Sequence, residues 1–113
     1  MKTAAVFDED VRLSEKLKDV LESKGITCVV ANSLPEAAYK IGKSCPDIVI
    51  TKFQFKYGLN VTLLTKHLRK CANEVIILTD EDPKEILQKY PTLAFAKIFN
   101  TSIPLTNLIS EIA

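Results

Sequence analysis

Residues 46–52 read Pro46-Asp47-Ile48-Val49-Ile50-Thr51-Lys52, and the three consecutive β-branched apolar residues at their centre leave no polar face. A strand apolar on both sides needs cover on both sides, which points to a parallel sheet held between two layers of helices. The pattern recurs in both directions. Upstream lie Thr3-Ala4-Ala5-Val6-Phe7 and residues 26–31; downstream, Glu74 leads into Val75-Ile76-Ile77-Leu78-Thr79, and residues 93–99 supply a fifth run.

Amphipathic segments fill the gaps. Leu13, Leu17, Val20 and Leu21 recur at helical spacing, with Gly25 as the stop. Ser33-Leu34-Pro35-Glu36 is a capping box with proline in the first turn, and Asp82-Pro83-Lys84-Glu85 is a second, opening a short helix through about Lys89. Asn60 caps a helix carrying Val61, Leu64 and Leu68. Ser102 and Pro104 open the last helix, with Leu105, Leu108, Ile109 and Ile112 on one face. The order is βαβαβαβαβα. Right-handed crossovers then favour a three-layer, doubly wound, five-stranded parallel sheet of the flavodoxin-like type. In such sheets ligands sit beyond the carboxyl ends of the strands, so functional residues are expected just after Phe7, Ala31, Thr51, Thr79 and Phe99.

At 113 residues, with 47% hydrophobic and 26% charged content, the chain has room for a single globular domain spanning 1–113. Its 15 basic and 14 acidic residues nearly cancel, which excludes nucleic-acid binding driven by bulk charge. No apolar run approaches bilayer length and no leader opens the chain, so neither a membrane nor direct nucleic-acid contact is expected. Cys28, Cys45 and Cys71 form no CxxC pair and read as buried thiols filling small core sites in a reducing cytoplasm. His67, the only histidine, has no nucleophile or acid at helical spacing and reads as a surface residue.

The acidic pair after Phe7 (Asp8-Glu9), the run 46–50 entering the third strand, Ile77-Leu78-Thr79 and the closing amphipathic helix together resemble the receiver domains of two-component response regulators. The resemblance spans essentially the whole chain and implies a signalling domain rather than an enzyme. In receivers an aspartate ending the third strand accepts a phosphoryl group from a histidine kinase; here that place falls on Lys52. The family's Mg²⁺-holding acidic pair maps to Asp8 and Glu9. Its phosphoryl-binding hydroxyl maps to Thr79, and the conserved lysine after strand five falls on Asn100 or Thr101, so Thr79 and Thr101 are the remnants of a phosphoryl pocket. The aromatic switch position falls on Lys97 or Ile98. Residues 53–58 lack the family's usual proline and are about two residues short.

An acyl phosphate needs a carboxylate nucleophile, which an ammonium cannot replace. A hard octahedral Mg²⁺ wants clustered oxygens, and a cation among them repels it, so no cofactor is expected, Mg²⁺ included. Asp47 lies five residues from Lys52, roughly 16 Å away along a strand. Lys52 is instead expected to neutralise Asp8 and Glu9 directly. The chain therefore reads as a degenerate receiver, a phosphorylation-independent interaction module acting on a protein partner or an attached effector, such as a transcription regulator. The partner surface is assigned to the last strands and helices, at Ile86, Tyr90 and Lys97, with a second copy of the chain as one candidate occupant. The chain is read as the N-terminal part of a longer protein. Competing readings are a receiver phosphorylated by a non-standard route through Asp8, Asp80 or Thr51, one regulated by metal, or a small flavodoxin-like cofactor binder.

Overall fold

The computed structural model describes residues 2–112. Five strands, β1 (Thr3–Phe7), β2 (Thr27–Ala31), β3 (Ile48–Lys52), β4 (Glu74–Thr79) and β5 (Lys97–Asn100), form one parallel sheet in the order β2-β1-β3-β4-β5. Five helices connect and close it: α1 (Val11–Ser23), α2 (Leu34–Lys43), α3 (Thr65–Cys71), α4 (Pro83–Lys89) and α5 (Leu105–Ser110).

Strand alternation sends side chains into two separate cores. Ala4, Val6, Ile48, Ile50, Ile76 and Leu78 meet Leu17 and Leu21 of α1 and Leu108 of α5. Ala5, Phe7, Val49 and Ile77 meet Ala37 and Ile41 of α2, Leu68 of α3 and Ile86 of α4. Each fully buried Leu or Ile contributes about 1.5–3 kcal/mol, and the three central strands carry most of them. This is the two-sided burial that Ile48-Val49-Ile50 demanded.

Local signals set the helix ends. The Asp10 carboxylate accepts the Arg12 and Leu13 N–H groups at 3.0 and 3.2 Å, starting α1. Gly25 adopts φ +81°, a left-handed turn that lets its own N–H close back on the Glu22 carbonyl. At α2 the Ser33 hydroxyl accepts the Glu36 N–H at 3.2 Å, while Glu36 Oε1 takes the N–H of Asn32 rather than that of Ser33. The segment led by Asn60 opens as a 3-10 turn, Val61–Leu64, before α3 begins.

Two expectations fail. Residues 93–99 do not form one strand: Pro91–Phe95 is a 3-10 turn anchored by the fully buried Leu93, and β5 starts only at Lys97. Pro91 sets the turn because it fixes φ and cannot donate to a ladder. The cysteines are not three buried thiols either. Cys28 is free and buried, but Cys45 and Cys71 are joined by a disulfide, Cα–Cα 4.7 Å, with Cys45 exposed. The α2–β3 connection and the end of α3 converge at the amino edge of the sheet, where the Asp47 carbonyl accepts the N–H groups of Asn73 and Glu74, each at 3.0 Å.

The disulfide closes a loop with a sequence separation of 26. Chain-entropy reasoning gives such a cross-link about 3 kcal/mol. Reductant should therefore lower the urea midpoint, and the Cys45→Ser/Cys71→Ser variant should start at that lower midpoint and ignore reductant. Equal midpoints for oxidised and reduced protein would show that the bond adds nothing to stability.

Candidate functional site

At the carboxyl edge the sheet brings together Asp8 and Glu9 after β1, Lys52 at the end of β3, Thr79 and Asp80 at the end of β4, and Asn100 and Thr101 after β5. The sequence expectation placed all of these at one edge, and the register agrees: Phe7 pairs with Thr51, Lys52 with Leu78, and Thr79 with Asn100.

Lys52 does not reach the acidic pair as expected. Its side chain leaves β3 on the α1–α5 side, above a cavity of about 120 Å³ lined by Leu13, Leu17, Leu78, Ile103 and Leu108. The stem covers apolar surface while the ammonium emerges toward water. The ammonium stops 3.7 Å from the Asp80 carboxylate, beside the strand that Lys52 pairs with. Asp80 is held from the other side by the Thr101 hydroxyl, which donates to Oδ1 at 2.7 Å. Lys52, Asp80 and Thr101 thus form a bridge across the ends of β3, β4 and β5.

The acidic pair has partners of its own. Asp8 is 3% exposed, and its Oδ1 accepts the Asp10 N–H at 2.9 Å. Glu9 Oε2 accepts the backbone N–H of Lys56 at 3.0 Å, tying the β3–α3 loop to the end of β1. In that loop Tyr57 and Gly58 both take positive φ, 64° and 70°, and Tyr57 is 92% exposed. Asn32 stands just after Ala31, a position expected at this edge but given no role: its amide donates to the Asp8 carbonyl at 2.8 Å and to the buried Ser14 hydroxyl at 3.0 Å. The Thr79 hydroxyl accepts the Glu81 N–H at 3.1 Å, which makes it a turn former here.

Asp8 and Glu9 each have an oxygen committed to backbone N–H groups, and an ammonium occupies the third-strand position. Among the described residues no group of three His, Cys, Asp or Glu side chains is arranged to hold a metal ion.

The expected partner surface needs correction at one position. Ile86 is 1% exposed and belongs to the core beneath α4, in the cluster that also holds Phe53 and Leu93, so its side chain is turned inward. Tyr90 is half-buried, its ring 5.5 Å from that of Phe53, whereas Lys97 is exposed and pairs with Glu111 at 3.5 Å. His67 is exposed, as its sequence surroundings implied. No described helix is long and apolar enough to cross a membrane.

Opposite electrostatics act on the two aspartates. Burial pushes the Asp8 carboxyl above its ordinary 3.8, against the opposing pull of the Asp10 N–H and then of Lys52. The Thr101 hydrogen bond, followed by the Lys52 charge, holds Asp80 below that value. Folded protein keeps the Asp8 proton to higher pH than unfolded chain does. Asp8 therefore favours folding at low pH, and the benefit is lost as pH rises through its folded value. The Asp80 contribution is present above 3.8 and disappears as pH falls through its depressed value.

The architecture is that of a receiver domain, and the solved structures it resembles include receivers. The receiver domain of Francisella response regulator 1452 superposes with a TM-score of 0.80 at 26% identity, covering 99% of this chain and 93% of that one. A two-component response regulator from Clostridium difficile gives 0.83 at 23% identity, over 99% and 93% of the two chains. The regulator TrrA of Thermotoga maritima, crystallised with Mg²⁺ and BeF, gives 0.79 at 22% identity over 99% and 96%. No protein-family model and no curated protein matches the sequence. The fold is thus that of response-regulator receiver domains.

Carboxyl ¹³C titration separates the two causes acting on Asp80. Thr101→Val should raise the Asp80 pKa more than Lys52→Met does, whereas Lys52→Met alone should push Asp8 further up. Asp8→Asn, whose amide oxygen can still accept the Asp10 N–H, should stabilise the fold at pH 7, and that gain should vanish near pH 3, the acid side of the ordinary value. A constant gain across that range would remove Asp8 as the source.

Proposed function

We propose that this domain is a pseudo-receiver, a non-enzymatic signalling module that works through protein contacts without phosphoryl transfer or bound Mg²⁺. The observation that carries the reading is Lys52, whose ammonium ends β3 and is bonded into the Asp80–Thr101 bridge. The Thermotoga neighbour is described with Mg²⁺ and BeF, a phosphoryl mimic that needs an acceptor carboxylate and a metal cage. Here the corresponding place offers a cation, and a lysine cannot form an acyl phosphate.

The other candidate acceptors are poorly disposed. Asp47 lies at the amino edge, where its carboxylate accepts the Thr3 N–H at 2.9 Å. Thr51 is 1% exposed and donates its hydroxyl to the Lys52 carbonyl at 2.9 Å. Asp8 is buried. Asp80 is the open carboxylate of the edge, its side chain 77% exposed, and it is already held by Lys52 and Thr101. A domain so bridged rests in one state, and its output is set by which protein it contacts: an effector on the same chain, such as a transcription regulator, a separate partner or a second copy. Direct contact with nucleic acid or membrane plays no part in this reading. A cytoplasmic setting belongs to it too, resting on the receiver likeness alone, since the Cys45–Cys71 bond removes the argument from reduced thiols.

Intact-mass spectrometry after incubation with Mg²⁺ and acetyl phosphate tests the proposal. The expected outcome is an unmodified chain, for the native protein and for Asp80→Asn alike. A hydroxylamine-labile phosphoryl adduct on the native chain overturns the reading, and its loss in Asp80→Asn would assign the acceptor.

A further inference from the structure

The charge of this nearly neutral chain is unevenly distributed. Residues 48–73 contain Lys52, Lys56, Lys66, Arg69 and Lys70 and no aspartate or glutamate, so all 14 acidic residues lie outside that segment. Three of the five cations share one face of α3: Lys66, Arg69 and Lys70 stand at i, i+3 and i+4, the spacing that stacks side chains on a helix surface. With Thr62, Leu63 and Thr92 they line an open groove of about 680 Å³ between α3 and the Pro91–Phe95 turn.

No ion pair among the described residues reaches this groove. The ion pairs among the described residues join Lys40 to Glu36, Lys52 to Asp80 and Lys97 to Glu111, and none involves α3. Like charges stacked at this spacing repel one another, although Arg69 and Lys70 also meet the favourable end of the helix dipole in the last turn of α3. The groove also has an apolar component. Leu63 is 63% exposed at its lip, and Phe95, 38% exposed, lies 5.9 Å beneath the Arg69 guanidinium, which is thereby set over an aromatic face.

From this geometry we infer that the α3 groove is a docking site for an acidic segment of a partner protein, one that presents carboxylates to Lys66, Arg69 and Lys70 and an apolar side chain to Leu63 and Phe95. The inference rests on reading the domain as a protein-interaction module, and it places the contact on α3 rather than on α4 and β5. A nucleic acid fits less well. Three cations on one short helix neutralise few phosphates, the remainder of the chain is net acidic and repels a long polyanion, and exposed leucine and phenylalanine have no counterpart in a duplex backbone. A carboxylate-rich peptide with interspersed apolar residues matches both halves of the groove.

The probe is a short fluorescein-labelled glutamate–leucine peptide, titrated into the full chain by anisotropy and mapped by amide NMR. The comparators are a lysine–leucine peptide of the same length and a fluorescein-labelled DNA duplex. Expected are saturable binding of the acidic peptide, shifts concentrated at 62–70 and 92–95, and weakening by added salt. Lys66→Glu/Arg69→Glu/Lys70→Glu should bind about tenfold more weakly or worse, the scale of three exposed ion pairs. Leu63→Ala should bind more weakly with its salt dependence unchanged. Should the triple variant unfold by circular dichroism, Lys66→Gln/Lys70→Gln takes its place with a smaller expected loss. The inference is overturned if the acidic peptide does not saturate, if charge reversal leaves its affinity unchanged, or if the duplex binds the same residues more tightly than the peptide. A phosphoryl adduct in the mass experiment would remove the pseudo-receiver reading and leave this result standing; failure here would leave that reading intact.

Discussion

Burial of a parallel sheet on both faces is the constraint from which the rest of this structure follows. Ile48, Val49 and Ile50 send side chains alternately to α1 and α5 on one side and to α2, α3 and α4 on the other. With both faces committed to packing, polar chemistry can gather only at the ends of the strands. The two ends differ. The amino edge is closed by the Asp47 carbonyl, the Thr3–Asp47 contact and the disulfide. The carboxyl edge collects Asp8, Glu9, Lys52, Thr79, Asp80 and Thr101, because five loops leave the sheet there.

Within that edge, one side chain decides the character of the site. An aspartate at the end of β3 would add a third carboxylate beside two others, an arrangement that is repulsive without a divalent cation. Lysine inverts the balance. Its ammonium draws Asp80 in and, from farther off, eases the ionisation of Asp8. Its stem also lies over the apolar cavity between α1 and α5, and replacement would disturb packing as well as charge.

The order of strands and helices along the chain, both faces of the sheet and the edge that carries the polar residues were legible because periodicity, proline and capping residues act locally. Leu93 and Phe95 misled for a local reason as well: their apolar character suits a strand, but Pro91 and the buried Leu93 form a tight turn that postpones β5. The partner of Lys52 was not legible. Asp8, Glu9 and Asp80 all stand at one edge, and sequence position alone does not say that the Lys52 ammonium settles 3.7 Å from Asp80. Ile86 was misplaced because a seven-residue helix gives too few turns to tell its buried face from its open one. The cysteine pairing had no sequence signature, since the contact depends on two loops meeting at the far edge of the sheet.

The Cys45–Cys71 bond makes the segment that holds β3, Lys52 and the exposed Tyr57 a covalent ring. Ring closure separates the continuity of the molecule from the continuity of its backbone. One peptide bond hydrolysed at the Tyr57–Gly58 tip would leave two chain ends but a single molecule, with β3 still tethered to α3. A lesion in this loop would go unseen in a gel run without reductant and would separate into fragments once the sulfur bridge was opened.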